Sequence, residues 1–380
     1  MEHCDVLIVG GGPAGSSCAR RLVQAGARVV VMDRARFPRD KVCAGWITPA
    51  VVQALDLDLE DYGRHHTLQP FTGFQTASFN GPLRLTDFSR IVSYGIRRCE
   101  FDHYLLNRSG APVRAGESLR DLRRDGTAWM ANETLRADLV VGAGGHFCPV
   151  ARHLNPRTGT EHVVVAQEIE FRMDDEAAED CRVDGRRPAL FFWPDLLGYG
   201  WCVRKGRYLN VGVGRLTQED FPARVREFAA RLDARGLVPG GVPTPWKGHA
   251  YLVNRTSSRR IVGDGLLLAG DAAGLALAPS GEGILAAVES GLMAADAILG
   301  VSAGAPAALA SYADQIEARF GPRGESGWLG HLPGWLSTVA GRALLGSPWL
   351  TRRVLIEDGF LHVRRPLVQT SARPVRSVPA

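Results

Sequence analysis

Three glycines, Gly10, Gly12 and Gly15, stand in G-x-G-x-x-G spacing within "VLIVGGGPAGSSCARRLVQAGARVVVMDR". That spacing suits a pyrophosphate. Gly10 permits a tight turn, Gly12 leaves the backbone open to the phosphates, and Gly15 lets a helix pack close to the strand before it. Pro13 suits the first helical turn, where its missing N–H is not needed. Asp33 follows about 20 residues beyond the third glycine, where a carboxylate accepts hydrogen bonds from a ribose diol. Ala14 beside Pro13 and Arg34 beside Asp33 join the candidate cofactor-binding set. A second acid, Asp271, stands in "GLLLAGDAAGLALAPSGEGILAAVESG" at what reads as a strand end, placed to hold a ribityl or ribose hydroxyl. "PSGEGI" then sets the flexible backbone of Gly281 and Gly283 before a helix that opens near Ile284. N–H groups there can face the electron-rich edge of a flavin and stabilise negative charge. A simple nicotinamide dehydrogenase has no need of this distant second site.

The elements that must position these groups are legible. "DVLIVG" (5–10) is a short apolar, β-branched run, read as a strand buried on both faces. A helix follows the glycines and aims its free N–H groups at the phosphates. "ARVVVMD" is the second strand. Strand, glycine turn, helix, strand and acid together point to a dinucleotide.

Bulk properties narrow the class. The 380 residues carry a formal net charge of +5, with no run of about five or six like charges. No nucleic-acid partner is expected, while an acidic substrate or an anionic membrane surface stays open. Seven cysteines are scattered singly, which argues against a disulfide framework and a zinc site, and no metal is expected. A reducing, cytoplasmic location fits, with no signal peptide and no uncharged apolar run of about 18–20 residues.

The Gly-Asp segment and the N-terminal glycines resemble the FAD-binding signature of the para-hydroxybenzoate hydroxylase fold. Between them "RRCEFDHYLL" is similar to that fold's R-x-x-F-D helix. The match implies FAD as cofactor and puts Arg98 near its phosphates; a solvated arginine at a helix start is the other reading. "ADLVVGAGGHFCPVARHL" resembles the fold's third signature, G-A-D-G-x-x-S-x-V-R, with Gly144 in place of Asp and Cys148 in place of Ser. In the hydroxylases that aspartate helps to position both FAD and nicotinamide, so its loss weakens the case for direct NADPH docking. Cys148 is expected to be structural.

Within this fold the chain resembles the geranylgeranyl reductase family. "FPRDKVCAGWITP" is similar to the reductases' D-K-x-C-G-G stretch, with Ala44 replacing the first glycine. "GYGWCVRKGRYLNVGVG" is similar to their Y-x-W-x-F-P stretch, keeping Tyr199 and Trp201. The resemblance covers roughly residues 1–300. It implies that Cys43 lies near the flavin, where a thiol can give a proton to an alkene carbon; a small buried hydrophobe is the equal alternative. Lys41 is either an exposed charge or a support for that loop. Tyr199 and Trp201, two residues apart on a strand, share one face. That face is either a substrate-cavity wall or core. His249 and the His65–His66 pair lack metal-like partners and read as surface or structural residues.

The expected fold is α/β. A discontinuous Rossmann-like FAD-binding domain spans 1–70, 91–155 and 258–315. A substrate domain on an antiparallel sheet spans 71–90 and 156–257. A C-terminal helical region and tail fill 316–380. "WLGHLPGWLSTVAGRALLGSPWLTRRVL" is rich in Trp and Leu with interspersed Arg. It reads as helices packed on the core, or as a greasy surface that admits a lipid-like substrate or touches a membrane. Three functions follow. The first is an FAD-dependent reductase that saturates a C=C bond of an apolar or prenyl-like substrate. The second is a flavin monooxygenase or halogenase-like enzyme, although the W-x-W-x-I-P signature of the halogenases is absent. The third is a non-catalytic electron carrier. Either enzyme needs an external electron donor: NAD(P)H, a reductase or a ferredoxin-like protein.

Overall fold

The computed structural model describes residues 2–156, 161, 163–216, 220–302, 304, 307–324 and 334–366. Strand β1 (Glu2–Val9), helix α1 (Pro13–Gln24) and strand β2 (Val29–Asp33) form the first unit. β1 begins three residues before the apolar run. Its register against strand Leu135–Gly142 starts at Glu2↔Leu135, so ladder hydrogen bonds extend it past the hydrophobic signal. β1 lies parallel to both Leu135–Gly142 and β2, and β2 lies parallel to Val113–Ala115. Strand Leu266–Leu268 adds in parallel on the other side of Leu135–Gly142. Segments far apart in sequence thus build one eight-stranded sheet. Its central strands are apolar on both faces, as helix-covered parallel strands must be.

A seven-stranded sheet forms the second layer, in the order 247–252, 163–172, 208–215, 198–205, 189–192, 73–78, 84–87. It is antiparallel with one exception: Ala189–Phe192 runs parallel to Gly73–Ser78. A three-stranded sheet absent from the sequence expectation, 46–47, 93–96 and 68–71, lies beside them. Its strands are too short and too mixed in polarity to show a period.

Helix Ile284–Ser302 packs on α1 so closely that a Cβ at Gly291 would lie 2.2 Å from the Ala14 carbonyl oxygen. This helix is long and apolar enough to cross a membrane, yet 67% of it is buried inside the protein. Its Glu289 is paired with Arg319 at 2.5 Å, so it is a core helix. Helix Ala307–Phe320 packs behind it, and Tyr312 donates to the Leu268 carbonyl at 2.8 Å. Helix Gly334–Gly346 and a π-helical segment, Thr351–Phe360, return over the second sheet. The tail from Val368 lies outside the described residues.

Candidate active site

A cavity of about 510 Å³ opens where the two large sheets approach each other. Gly12, Pro13, Ala14, Asp33, Arg34, Arg98, Asp271, Gly281, Gly283 and Ile284 line it, together with Cys43, Tyr199 and Trp201. Gly10 and Gly15 do not line it. Gly10 has φ +115°, and a Cβ there would lie 2.4 Å from the Ala143 carbonyl oxygen. A Cβ at Gly15 would lie 1.8 Å from the Gly10 carbonyl oxygen. Both glycines shape the turn by close backbone packing. Gly12 is different: a Cβ there meets only the flexible end of Arg39, at 3.4 Å. Space beside its backbone is therefore open toward the cavity.

α1 has no acidic residue in its first turn and no side-chain cap. Its positive end is left for a ligand. Asp33 accepts from Gly11 N at 2.7 Å and from Ala35 N at 2.8 Å, which fixes the loop to the end of β2. Arg39 was not legible as a site residue. It lines the cavity over Gly12, and its Nη1 lies 3.1 Å from Asp102 Oδ2. Fully buried Asp102 also grips Arg98 with two 2.8 Å hydrogen bonds. Burial opposes the Arg98 charge, but Asp102 and Cys43 outweigh it and hold its pKa above the usual value. Phe101 and Asp102 of the R-x-x-F-D match thus act as core anchor and clamp.

The middle of the cavity carries Asp271, Lys41 and His249. His249 Nε2 lies 3.6 Å from Asp271 Oδ2. Burial pushes the Asp271 carboxyl up, but His249, Lys41 and Arg98 outweigh it and bring it to about 2. Burial lowers the pKa of both Lys41 and His249. Lys41 lines the cavity on the loop that bears Cys43. His249 corrects one reading: it is a cavity residue, which the strand Lys247–Leu252 turns inward. Only strand pairing reveals this, because His249 has no local motif.

Cys43 sits on a loop between Arg39 and Gly45, partly exposed to the cavity. Gly45 N donates to its Sγ at 3.4 Å, and Arg98 stands beside it. Cys148 is fully buried under Gly142 and Gly144, and burial raises its thiol pKa. An aromatic wall faces Cys43. The Tyr199 and Trp201 rings are 5.8 Å apart, and Tyr199 donates to the Ser280 carbonyl. Gly212 supports the Trp201 ring, which would lie 2.1 Å from a Cβ there. Phe360 closes the wall from the C-terminal segment, 5.2 Å from Tyr199 and 5.6 Å from Trp46. Glu282, between the two glycines, also faces the cavity, and burial pushes its pKa up to about 7.

The open face at Gly12, an uncapped helix start, the cations Arg39 and Arg98 and the carboxylate Asp271 fit a flavin dinucleotide. The sequence profile of the FAD binding domain matches residues 3–319. The chain belongs to the FAD-binding family. Menaquinone reductase of Mycobacterium tuberculosis is 30% identical over 324 residues, covering 78% of this chain and 76% of the relative. Geranylgeranyl diphosphate reductase of Rhodobacter capsulatus is 28% identical, covering 80% and 78%. A geranylgeranyl bacteriochlorophyll reductase-like protein of Thermoplasma acidophilum superimposes with a TM-score of 0.71 at 21% identity, over 94% and 91% of the two chains. That last likeness is one of fold. This FAD-binding protein is an FAD-dependent oxidoreductase whose relatives include geranylgeranyl and menaquinone reductases.

Proposed function

We propose that the enzyme reduces a C=C bond of an apolar, prenyl-like substrate, with Cys43 as the proton donor. One observation carries the reading: the Cys43 thiol shares a single cavity with the FAD-binding residues and with the aromatic wall of Trp46, Tyr199, Trp201 and Phe360. Bound FAD, once reduced by its electron donor, would supply a hydride to one alkene carbon. Cys43 gives its proton to the other carbon, and the C=C bond becomes C–C. The thiolate left behind is stabilised by the Arg98 guanidinium and is reprotonated from solvent. Asp102 holds Arg98 in place for this. Arg39 and the start of α1 hold the FAD phosphates, and Asp271 a ribityl or ribose hydroxyl. The aromatic wall excludes water and favours an apolar chain over a polar one.

Gly144 stands where the hydroxylases carry an acid, which supports a protein electron donor over direct nicotinamide docking. On the C-terminal helices Val339, Trp349 and Val354 are exposed beside Arg342, Arg352 and Arg353. This surface supports contact with the membrane from which a lipid-like substrate would come.

An anaerobic single turnover tests the reaction. Chemically reduced enzyme is mixed with a prenyl alcohol, and the product is weighed by mass spectrometry. A product heavier by two hydrogens, formed without oxygen, is expected. A product that needs oxygen and gains an oxygen atom would overturn the reading in favour of a monooxygenase.

A further inference from the structure

Beneath the Cys43 loop lies a buried polar cluster on the second sheet, outside the candidate FAD-binding set. Asn210, 1% exposed, donates through Nδ2 to the Cys43 carbonyl at 3.1 Å and to Glu168 Oε2 at 2.5 Å. Its Oδ1 accepts from Trp201 Nε1 at 2.7 Å. One amide therefore joins the proton-donor loop, a buried carboxylate and the aromatic wall. Glu168 is 6% exposed and also hydrogen-bonds the Cys43 backbone.

Its neighbour Glu170 is a different case. Glu170 is paired with buried Lys205 at 2.6 Å and with Arg97 at 3.0 Å. No ion pair of Glu168 is found among the described residues, although Lys205 lies close enough to favour its charge. Burial pushes its pKa up to about 7, against Asn210, Lys205 and the Cys43 backbone, which favour the ionised form. A carboxylate desolvated without a paired cation is costly. Here it is held by two hydrogen bonds that both lead to the Cys43 loop. Lys205 adds a floor to that loop: a Cβ at Gly45 would lie 2.4 Å from its Nζ.

We propose that Asn210 and Glu168 are positioning residues that pin the Cys43 loop to the second sheet and hold its thiol toward the cavity. Their catalytic consequence rests on Cys43 being the proton donor; the clamp itself does not. Its test is hydrogen–deuterium exchange on the FAD-loaded protein, read on peptides covering residues 39–47. Asn210→Ala should speed exchange there about tenfold, the effect of losing hydrogen bonds to a charged group. Glu168→Ala should do the same, and Glu168→Gln, which keeps an acceptor, should do so by less. Strand 208–215 should stay protected and FAD content unchanged. Val213→Ala, a cavity on the opposite face of that strand, should lower thermal stability without the local change.

With a prenyl substrate, the clamp variants should lose about tenfold in kcat with KM nearly unchanged. Loop exchange within twofold of wild type in Asn210→Ala and Glu168→Ala would overturn the proposal, as would acceleration spread over the whole sheet. Exchange needs no substrate. A clamp that responds in an enzyme that does not reduce alkenes would sink the reductase reading alone. Should Asn210→Ala not fold, Glu168→Ala carries the test.

Discussion

At the proposed phosphate end, Gly10, Gly12, Gly15 and Asp33 come from one unbroken strand–turn–helix–strand unit, in which the glycines act through backbone and the Asp33 carboxylate holds the backbone of Gly11 and Ala35. At the ring end, Cys43, Tyr199, Trp201, Asn210, Glu282 and Phe360 arrive from segments spread over the whole chain, and their work is done by side chains. The first end is rigid because a parallel sheet and a close-packed helix leave its backbone no alternative. The second joins the loops of Cys43 and Glu282 to side chains of strands 198–205 and 208–215 and of the segment 351–360. In the proposed reading, nucleotide binding is therefore built into the core, while the reaction sits on side chains that can be altered without unfolding it.

Two glycines test the first half of this contrast most severely. Gly15→Val should prevent folding, since its Cβ falls 1.8 Å from a backbone oxygen. Gly12→Val should fold and bind FAD at least about 100-fold more weakly, because the new side chain enters space reserved for phosphate. Folded yield and FAD titration separate the two, and full FAD occupancy in Gly12→Val would break the comparison at once.

The ring end should lose activity without losing cofactor. Cys43→Ser keeps a polar atom for Gly45 N and should retain FAD. Alkene turnover should fall by ~10²–10⁴, the contribution of a positioned general acid. Product per reduced flavin in a single anaerobic turnover is the measurement; an unchanged rate would leave Cys43 as a packing residue.

Asp271 lies between the two ends. Asp271→Ala should weaken FAD about tenfold by equilibrium dialysis, with little change in folding. Its Oδ1 already lies 3.2 Å from the point where a Gly283 Cβ would stand, so it abuts the ring-end loop directly. Unchanged affinity would remove it from the site.

The smallest effect is in stability. Burial raises the Glu282 pKa to about 7, so between its ordinary value and 7 the folded protein keeps a proton that the unfolded chain has released. Stability contributed by this group falls as pH rises through that window. His362, 3.5 Å from Glu282, is pushed down to about 4 by burial and acts in the opposite sense below its ordinary value of 6.5. Above that pH the Glu282 contribution is unopposed by His362. Glu282→Gln should raise Tm by a few degrees at pH 8 and by less at pH 6, read by thermal unfolding. Equal shifts at both pH values would place Glu282 outside the buried ring end.

How far the sequence reached follows the same division. The glycine spacing, the acid after β2 and the apolar runs of the central strands specify local backbone geometry, and local geometry is encoded within a few turns of chain. The match of Tyr199 and Trp201 to one face followed from strand alternation alone. Sequence by itself therefore determined FAD as the cofactor, the two-layer α/β class and the shared face of the aromatic pair; the tertiary structure turned that face to the cavity. It could not place Arg39 over Gly12, turn His249 toward Asp271, or bring Phe360 across the chain to Tyr199. Nor could it join Asn210 to Cys43. That contact exists because Tyr208–Arg215 pairs with Val163–Arg172 in the register Glu170↔Asn210 and with Gly198–Lys205 in the register Trp201↔Gly212. A shift of one residue in either ladder would send these side chains to the opposite face. Register is decided by the packing of the whole sheet, so the polar clamp and the aromatic wall belong to the tertiary structure.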